Sequence, residues 1–309
     1  MVEVEASYLD SPDGSESDIA VSTVELGIDT QLNHWVNAHV LILYEEDETD
    51  PPEIDEAIIT IANLKVSPWL LAVGRMYVPF GNYESHMISD PLTLEIGETR
   101  ETAVQSGYFA GDFYTSAYLV NGDTNDDGDD HIDQFGFNLG LAHEASDEHF
   151  GYALGLSWIN NLADSDTLQD VITDPDNMQK KVPGLSAHAF LDMGSFLLIG
   201  EYLSATESFD ASDLQFSNGG AKPAAYNLEA AYLFEIMGRE SMLGVVWQGT
   251  SEALALELPE TRYLATFSVE IYKNTALSLE YAHDKDYSTS KGGSGDDSDV
   301  FTLQLAAAF

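Results

Sequence analysis

Cysteine is absent from the sequence, which excludes disulfides and thiolate metal sites. A chain without cysteine fits an oxidising exterior without requiring one. Basic side chains are scarce: 11 lysines and arginines stand against 54 acidic residues, a formal charge of −43 over 309 residues. Nucleic acid needs a positive surface and is excluded as a partner. No run of 18 apolar residues occurs, so there is no transmembrane helix. The opening MVEVEASYLD has no basic region ahead of an apolar one and does not read as a signal peptide. The numbering then starts on a mature or re-engineered form, or the chain is not exported. Catalytic signatures are missing as well. There is no HExxH pair, no G-x-S-x-G elbow, no phosphate-cradling glycine loop and no dinucleotide fingerprint. The eight histidines form no close grouping with carboxylates, and the chain does not read as an enzyme.

What the sequence does have is alternation. The terminal FTLQLAAAF (301–309) places Phe301, Leu303, Leu305, Ala307 and Phe309 on one face and Thr302, Gln304, Ala306 and Ala308 on the other. About sixteen such segments run from VEVEASYL to the C-terminus, each near the roughly 9–11 residues a tilted strand needs to cross a bilayer. Their connections sort by parity. Short ones (33–34, 66–68, 111–112, 146–149, 193–194, 236–240 and 273–275) alternate with long ones (11–18, 46–52, 82–100, 122–132, 161–181, 206–222, 252–259 and 288–299). A soluble sandwich has no reason to sort its loops this way, whereas an even-stranded meander with long loops on one rim does.

The faces are also inverted relative to a packed barrel. Phe135, Phe137, Leu139 and Leu141, then Phe150, Tyr152, Leu154, Leu156 and Trp158, fall on the outward set. Gly136, Asn138, Gly140, Gly151, Gly155 and Ser157 fall inward. Bulk outside and small or polar groups inside describe a barrel in lipid around a wet lumen. Trp35, Trp69, Phe113, Phe150, Phe196, Phe234 and Tyr272 gather near the short turns as an interfacial girdle, with Phe309 closing the last strand at the interface. The expected fold is therefore a single all-β domain over 1–309. It is an antiparallel up-and-down transmembrane barrel of the bacterial outer membrane, in contact with lipid and lipopolysaccharide, with short periplasmic turns and long extracellular loops.

Inward parity places Glu25, Glu56, Glu201, Glu229, Glu270 and Glu280 on the lumen wall, with Arg75 and Arg262 among few basic partners and His39 and His188 also facing in. These carboxylates either wet a wide pore or give it a preference for cations, since charges of one sign focus the field along a low-dielectric channel. The loop 82–100 is too long for a simple crossing and carries the apolar residues Met87, Ile88, Leu92, Leu94 and Ile96. Two placements are open. It folds into the lumen as a constriction, with Arg75, Tyr77, Glu95, Glu98, Arg100 and Glu101 near the narrowest point, or it lies over the rim as a lid or against another subunit. The inward glycines would let a backbone approach the wall in the first case. In GDTNDDGDDHIDQ (122–134), Asp123, Asn125, Asp127 and Gly128 match the start of a calcium loop. However, Gln134 stands where a bidentate glutamate is wanted and no helices flank the segment. The alternative is a solvated acidic loop. Calcium on this loop is the single cofactor considered.

Gly74-Arg75, Tyr77, Pro79-Phe80-Gly81, Ser89-Asp90-Pro91-Leu92, Glu95 and Gly97-Glu98-Thr99-Arg100-Glu101-Thr102 resemble the siderophore porins related to the legiobactin receptor. Asn121-Gly122-Asp123 also fits, and there is weaker similarity to phosphate-selective porins. The resemblance is dense over about fifty residues and architectural elsewhere. It implies an outer-membrane channel with iron-chelate uptake, and no active-site motif. Three functions are weighed. The leading one is a porin for small solutes or siderophores, with an acidic lumen favouring cations, alone or as a homo-oligomer. The others are a scaffold barrel housing or binding a partner such as a cytochrome conduit, and a barrel enzyme acting on lipids.

Overall fold

Alternation becomes strand at every segment. A computed structural model describes all residues except 47, 48, 50, 127, 129, 130, 147 and 148. Its first eight barrel strands are β1 (Val2–Ser11), β2 (Gly14–Gln31), β3 (Val36–Tyr44), β4 (Glu53–Ala62), β5 (Trp69–Tyr77), β6 (Arg100–Ala110), β7 (Phe113–Asn121) and β8 (Gln134–His143). The second eight are β9 (Gly151–Ile159), β10 (Gly184–Asp192), β11 (Phe196–Ala205), β12 (Ala224–Ile236), β13 (Arg239–Ser251), β14 (Thr261–Tyr272), β15 (Thr275–Lys285) and β16 (Asp297–Ala307). Among the described residues, these sixteen strands form one closed antiparallel barrel in which each pairs with its chain neighbours. β1 closes it on β16, from Val2 opposite Ala307 to Asp10 opposite Asp299. Closure leaves no unpaired strand edge, which hydrocarbon demands.

The outward faces are apolar. Phe135, Phe137, Leu139, Leu141, Leu303 and Leu305 are all exposed, while Gln134, Ser157 and Thr302 on inward positions are buried. These exposed apolar faces mark the surface that acyl chains cover, and the barrel is an outer-membrane barrel. Trp69, Phe150 and Tyr272 project from the periplasmic rim as expected. Phe309, two residues beyond β16, is 89% exposed.

Two expectations fail. Residues 11–18 are not a loop: β1 and β2 continue as a hairpin in which Ser11 faces Gly14 and Asp10 faces Ser15. The turn is Pro12–Asp13, with Gly14 at φ +140, and the serines and acids of β2 gain ladder hydrogen bonds that an isolated polar run lacks. The second failure is larger. The extracellular half of the interior is not purely wet. A core of Phe80, Leu92, Ile96, Leu162, Leu168, Met178, Val182, Leu203, Phe209 and Leu214 fills one side of it. Most of that core comes from segments between strands. The loops 78–99, 160–183 and 206–223 bury apolar side chains against the wall and against each other, because loops with that much apolar surface are unstable in water.

Candidate functional site

The loop after β5 turns into the lumen. Val78 still bonds Thr99 across the strand ends (N–H to O, 3.0 Å), and Phe80 is buried. Gly81 then takes φ +83 and Tyr83 φ 55. A Cβ on Gly81 would overlap the Tyr83 ring, so only glycine permits this bend. Beyond it, wall side chains hold the descending backbone. Ser157 Oγ accepts from Gly81 N–H at 3.3 Å. Glu201 accepts from Asn82 and Tyr83 N–H at 2.8 and 3.2 Å and from the Thr93 hydroxyl at 2.9 Å. Glu229 accepts from His86 N–H and the Ser85 hydroxyl at 2.8 and 2.9 Å, and lies 2.6 Å from His86 Nδ1. Glu280 accepts from Ile88 and Ser89 N–H at 2.7 and 3.0 Å and from the Ser89 hydroxyl at 2.6 Å. Gln248 accepts from Leu92 N–H at 2.6 Å.

An ionised carboxylate is acceptor-only, so three of them in a row suit a stretch of unpaired N–H groups. The loop then forms the short helix α1 (Leu92–Gly97), whose Leu92 and Ile96 face the core. α1 packs on β11, β12 and β13. Glu201 and Glu229, expected as pore-lining charges, are thus tethers of the inward loop.

A second segment, 160–183, folds in beside it. Its helix α2 (Asp166–Val171) bonds the first loop through Asp166 N–H to Glu98 O at 2.9 Å, and Asp166 Oδ1 accepts from Arg100 N–H at 3.0 Å. Carboxylates crowd this junction. Burial, then the charges of Asp166, Asp90 and Asp55, push Glu98 up to about 8. Burial pushes Asp164 up to about 7, against hydrogen bonds from the Thr124 N–H and hydroxyl. Asp166 is also raised, chiefly by burial.

The loop's acceptors lie on β9, β11, β12, β13 and β15, so the arc from β16 through β1 to β4 faces its far side. Strands β16, β1, β2, β3 and β4 contain no lysine or arginine at all. Their inward positions carry Glu3, Glu5, Glu25, Asp29, His39, Glu56 and Gln304. Gln304 Nε2 donates to Glu5 and Glu3 at 2.9 and 3.4 Å. His39 bridges Asp29 at 2.8 Å and Glu56 at 3.2 Å. Asp90 on the loop stands near enough to Glu3 for their charges to interact, as do Glu5 and Glu25.

The remaining sequence candidates scatter. Arg262 is committed to Asp284 through two 2.7 Å bonds and senses Glu95 on α1. Arg100 pairs with Glu53 at 2.7 Å and with Asp55, and the Tyr77 hydroxyl donates to Asp55 at 3.0 Å. Together these form a clamp where the loop leaves and rejoins the wall. Glu101 is buried on β6, beside Asp123, Asp164 and Asp166. Arg75 does not face the lumen. It shares the exposed face of β5 with Leu71 and Val73, opposite Ala57 and Thr102. Glu270 sits at the periplasmic turn, where it accepts from Asn274 N–H at 2.9 Å.

The space above the inward glycines is taken by wall side chains and not by the loop: Tyr118 over Gly136, Tyr114 over Gly140, and His188 over Gly155. In the acidic loop, Asp127 lies outside the described residues. Asn125 is used by its backbone, bonding Pro175 and Met178 of the second inner segment. No group of three or more His, Asp or Glu among the described residues is placed to hold a metal. Sequence reading missed Ser157, Gln248, Asp164, Asp166, Glu3 and Glu5. The alternation in VEVEASYL already marked Glu3 and Glu5, and alternation placed Ser157 inward without giving it a partner, whereas Asp164 and Asp166 lie between strands and gave no periodic signal.

No family model matches the sequence. A Coxiella burnetii protein named UPF0422 protein is 34% identical over 303 residues, covering 95% of this chain and 65% of that protein. A UPF0422 protein of Legionella pneumophila strain Lens is 30% identical over 305 residues, covering 91% of this chain and 57% of its own length. The chain therefore spans less than two thirds of each of these relatives. Among solved structures, an anion-selective porin from Comamonas acidovorans superposes with a TM-score of 0.68 at 15% identity, covering 100% of this chain and 97% of that one. The outer-membrane channel DcaP of Acinetobacter baumannii gives 0.65 at 14%, covering 99% and 95%. With its closed sixteen-stranded wall and lipid-facing belt, the chain is a porin-like barrel of the outer membrane.

Proposed function

We propose that the protein is a porin through which small solutes diffuse between the inward loop and the acidic arc of β16 and β1–β4, with a preference for cations. One observation carries this reading. The five strands of that arc hold no basic residue, while Arg262 is consumed by Asp284 and Arg100 of β6 by Glu53 and Asp55 at one end of β4. A wall with an excess of one sign along a narrow low-dielectric passage sets the sign of the permeant ion. The Comamonas protein is described as anion-selective on the same fold, which is consistent because selectivity resides in side chains and not in the barrel.

The resemblance to siderophore porins bears on cargo. An iron chelate passing Glu3, Glu5 and Glu25 would travel best neutral or with net positive charge, since an anionic chelate meets repulsion along the whole arc. The scaffold reading draws less support, because the chain's own loops already fill one side of the lumen. The test is reconstitution into a planar bilayer under a potassium chloride gradient, with ferric chelates of different charge added as blockers. The expected reversal potential has the sign of cation preference, and cationic or neutral chelates reduce the current more than anionic ones. Anion preference, or no current from well-inserted barrels, would overturn the reading.

A further inference from the structure

The outer surface carries a notch that a plain lipid-facing wall does not need. Ala187, Ala189 and Gly200 occupy outward positions on β10 and β11, where neighbouring strands present Leu, Phe, Tyr and Trp. They form the floor of an apolar groove of about 540 Å³. Its side wall is Leu228 and Trp247, with the Trp247 ring held edge-on to Tyr226 at 5.3 Å. A second groove of about 300 Å³ adjoins it at the extracellular rim and shares Tyr202 and Tyr226 with the first. Its character is different: Lys222, Ser204, Ser251 and Glu252 line it, the Glu252 carboxylate being turned to the Lys222 backbone.

Lys222 is exposed. Its backbone N–H donates to Glu252 at 2.7 Å, and its ammonium makes no ion pair among the described residues. Among the described residues, five of the eleven basic side chains are held in ion pairs with carboxylates, and Lys222 is one of those that are not. Lys180, Lys181, Lys291, Arg100 and Arg262 all sit against carboxylates. The hydroxyls of Tyr202 and Tyr226 likewise have no protein partner among the described residues.

We infer that this double groove binds a phosphate-bearing lipid of the outer leaflet, one acyl chain lying over Ala187, Ala189 and Gly200 and the headgroup phosphate on Lys222. Charge complementarity chooses the occupant. An apolar slot that opens at headgroup height onto an ammonium and two tyrosine hydroxyls matches an amphiphile with one anionic end. The aromatic pair gives the slot a rigid wall, so little ordering is needed when the chain enters. The inference rests on membrane location alone and is independent of what the pore carries.

Native mass spectrometry of the full chain in detergent tests it, with bisphosphorylated lipid A as the probe and its dephosphorylated form as the control. The expected result is retention of the phosphorylated lipid by the wild type about fivefold better than of the control, as one lysine near an anionic surface group would give. Lys222→Gln, a surface change that leaves the strands untouched, is expected to erase that preference. Gly200→Leu, which fills the groove, is expected to reduce binding of both lipids. Equal retention of the two lipids by the wild type would overturn the inference, as would unchanged retention in both variants. So would a wild-type oligomer that Gly200→Leu dissociates, which would assign the groove to a second copy of the chain. Single-channel conductance should be the same in both variants as in the wild type, which separates failure here from failure of the channel reading.

Discussion

Asn82 and Glu201 meet at 2.8 Å although 119 positions separate them in the chain. The contact joins the turning point of the lumen loop to the middle of β11, and Glu201 holds Tyr83 and Thr93 as well. Glu201→Leu would remove the acceptor for three donors of the loop at once. Leaving buried donors unpaired costs roughly 1–3 kcal/mol each, so the loop is expected to leave its seat while the barrel persists. Single-channel conductance should rise and become noisier. Glu201→Gln keeps one acceptor oxygen and should fall between the two. An unchanged current in Glu201→Leu would show that the tether does not hold the constriction.

The junction of α1 and α2 should respond to pH, and the sign follows from the direction of the shifts. Glu98 rises from an ordinary 4.5 to about 8 in the folded chain, so the fold binds its proton more tightly than the unfolded chain does. That contribution is complete below about 4.5 and is lost as pH rises through 8. Asp164, raised from 3.8 to about 7, acts in the same direction over a lower window. Thermal unfolding in detergent should therefore show the inner segments held more firmly at pH 6 than at pH 9. Glu98→Gln should flatten the upper part of that slope and Asp164→Asn the lower part. A slope of the opposite sign, or one that both variants leave intact, would refute the assignment.

The wall of this barrel was legible because the solvent on each side is different. Where lipid lies outside and water inside, every second residue must be apolar, and Phe135, Phe137, Leu139 and Leu141 state that requirement in the sequence alone. The constriction was legible only in part. The length and apolar content of 82–100 suggested an inward fold, but nothing in the sequence paired Asn82 with Glu201 or Ile88 with Glu280, because loop contacts have no period. Leu162 and Leu168 fall in the connection 161–181, where a six-residue helix such as α2, which holds Leu168, is too short to show a helical repeat. Arg75 was assigned to the wrong face. Alternation runs unbroken through Gly74, so that Arg75 keeps the exposed parity of Leu71 and Val73, and it was the charge of the side chain and not its spacing that suggested the lumen.

Gly74 gives a sharp stability prediction. A Cβ built there would overlap the carbonyl oxygen of Ala57 on the paired strand, and φ +144 is strained for any residue with a side chain. Gly74→Ala is expected to cost more than about 2 kcal/mol and to lower refolding yield, read as the fraction of protein that migrates as a heat-modifiable barrel. Gly219→Ala is the control, because a Cβ there meets nothing within 4 Å. Equal yields for the two would contradict the conformation given to β5.

Selectivity should depend on Glu3 and Glu25, and hardly at all on Glu270. Glu3 and Glu25 face the passage on an arc without basic residues, while Glu270 caps a periplasmic turn through Asn274. A unit charge at roughly 7 Å in water is worth about 0.6 kcal/mol, with opposite sign for a cation and an anion, so each Glu→Gln change on the arc should lower the cation/anion permeability ratio by roughly eightfold. The double variant should approach the product of the two, and Glu270→Gln should stay near the wild type. Salt gives an internal check. The Debye length is about 10 Å at 0.1 M and 3 Å at 1 M, so the effect of Glu3→Gln and Glu25→Gln should be large in the dilute electrolyte and shrink in the concentrated one. If Glu270→Gln alone shifts the reversal potential, solutes pass along the other wall and the loop obstructs the arc instead of bordering it.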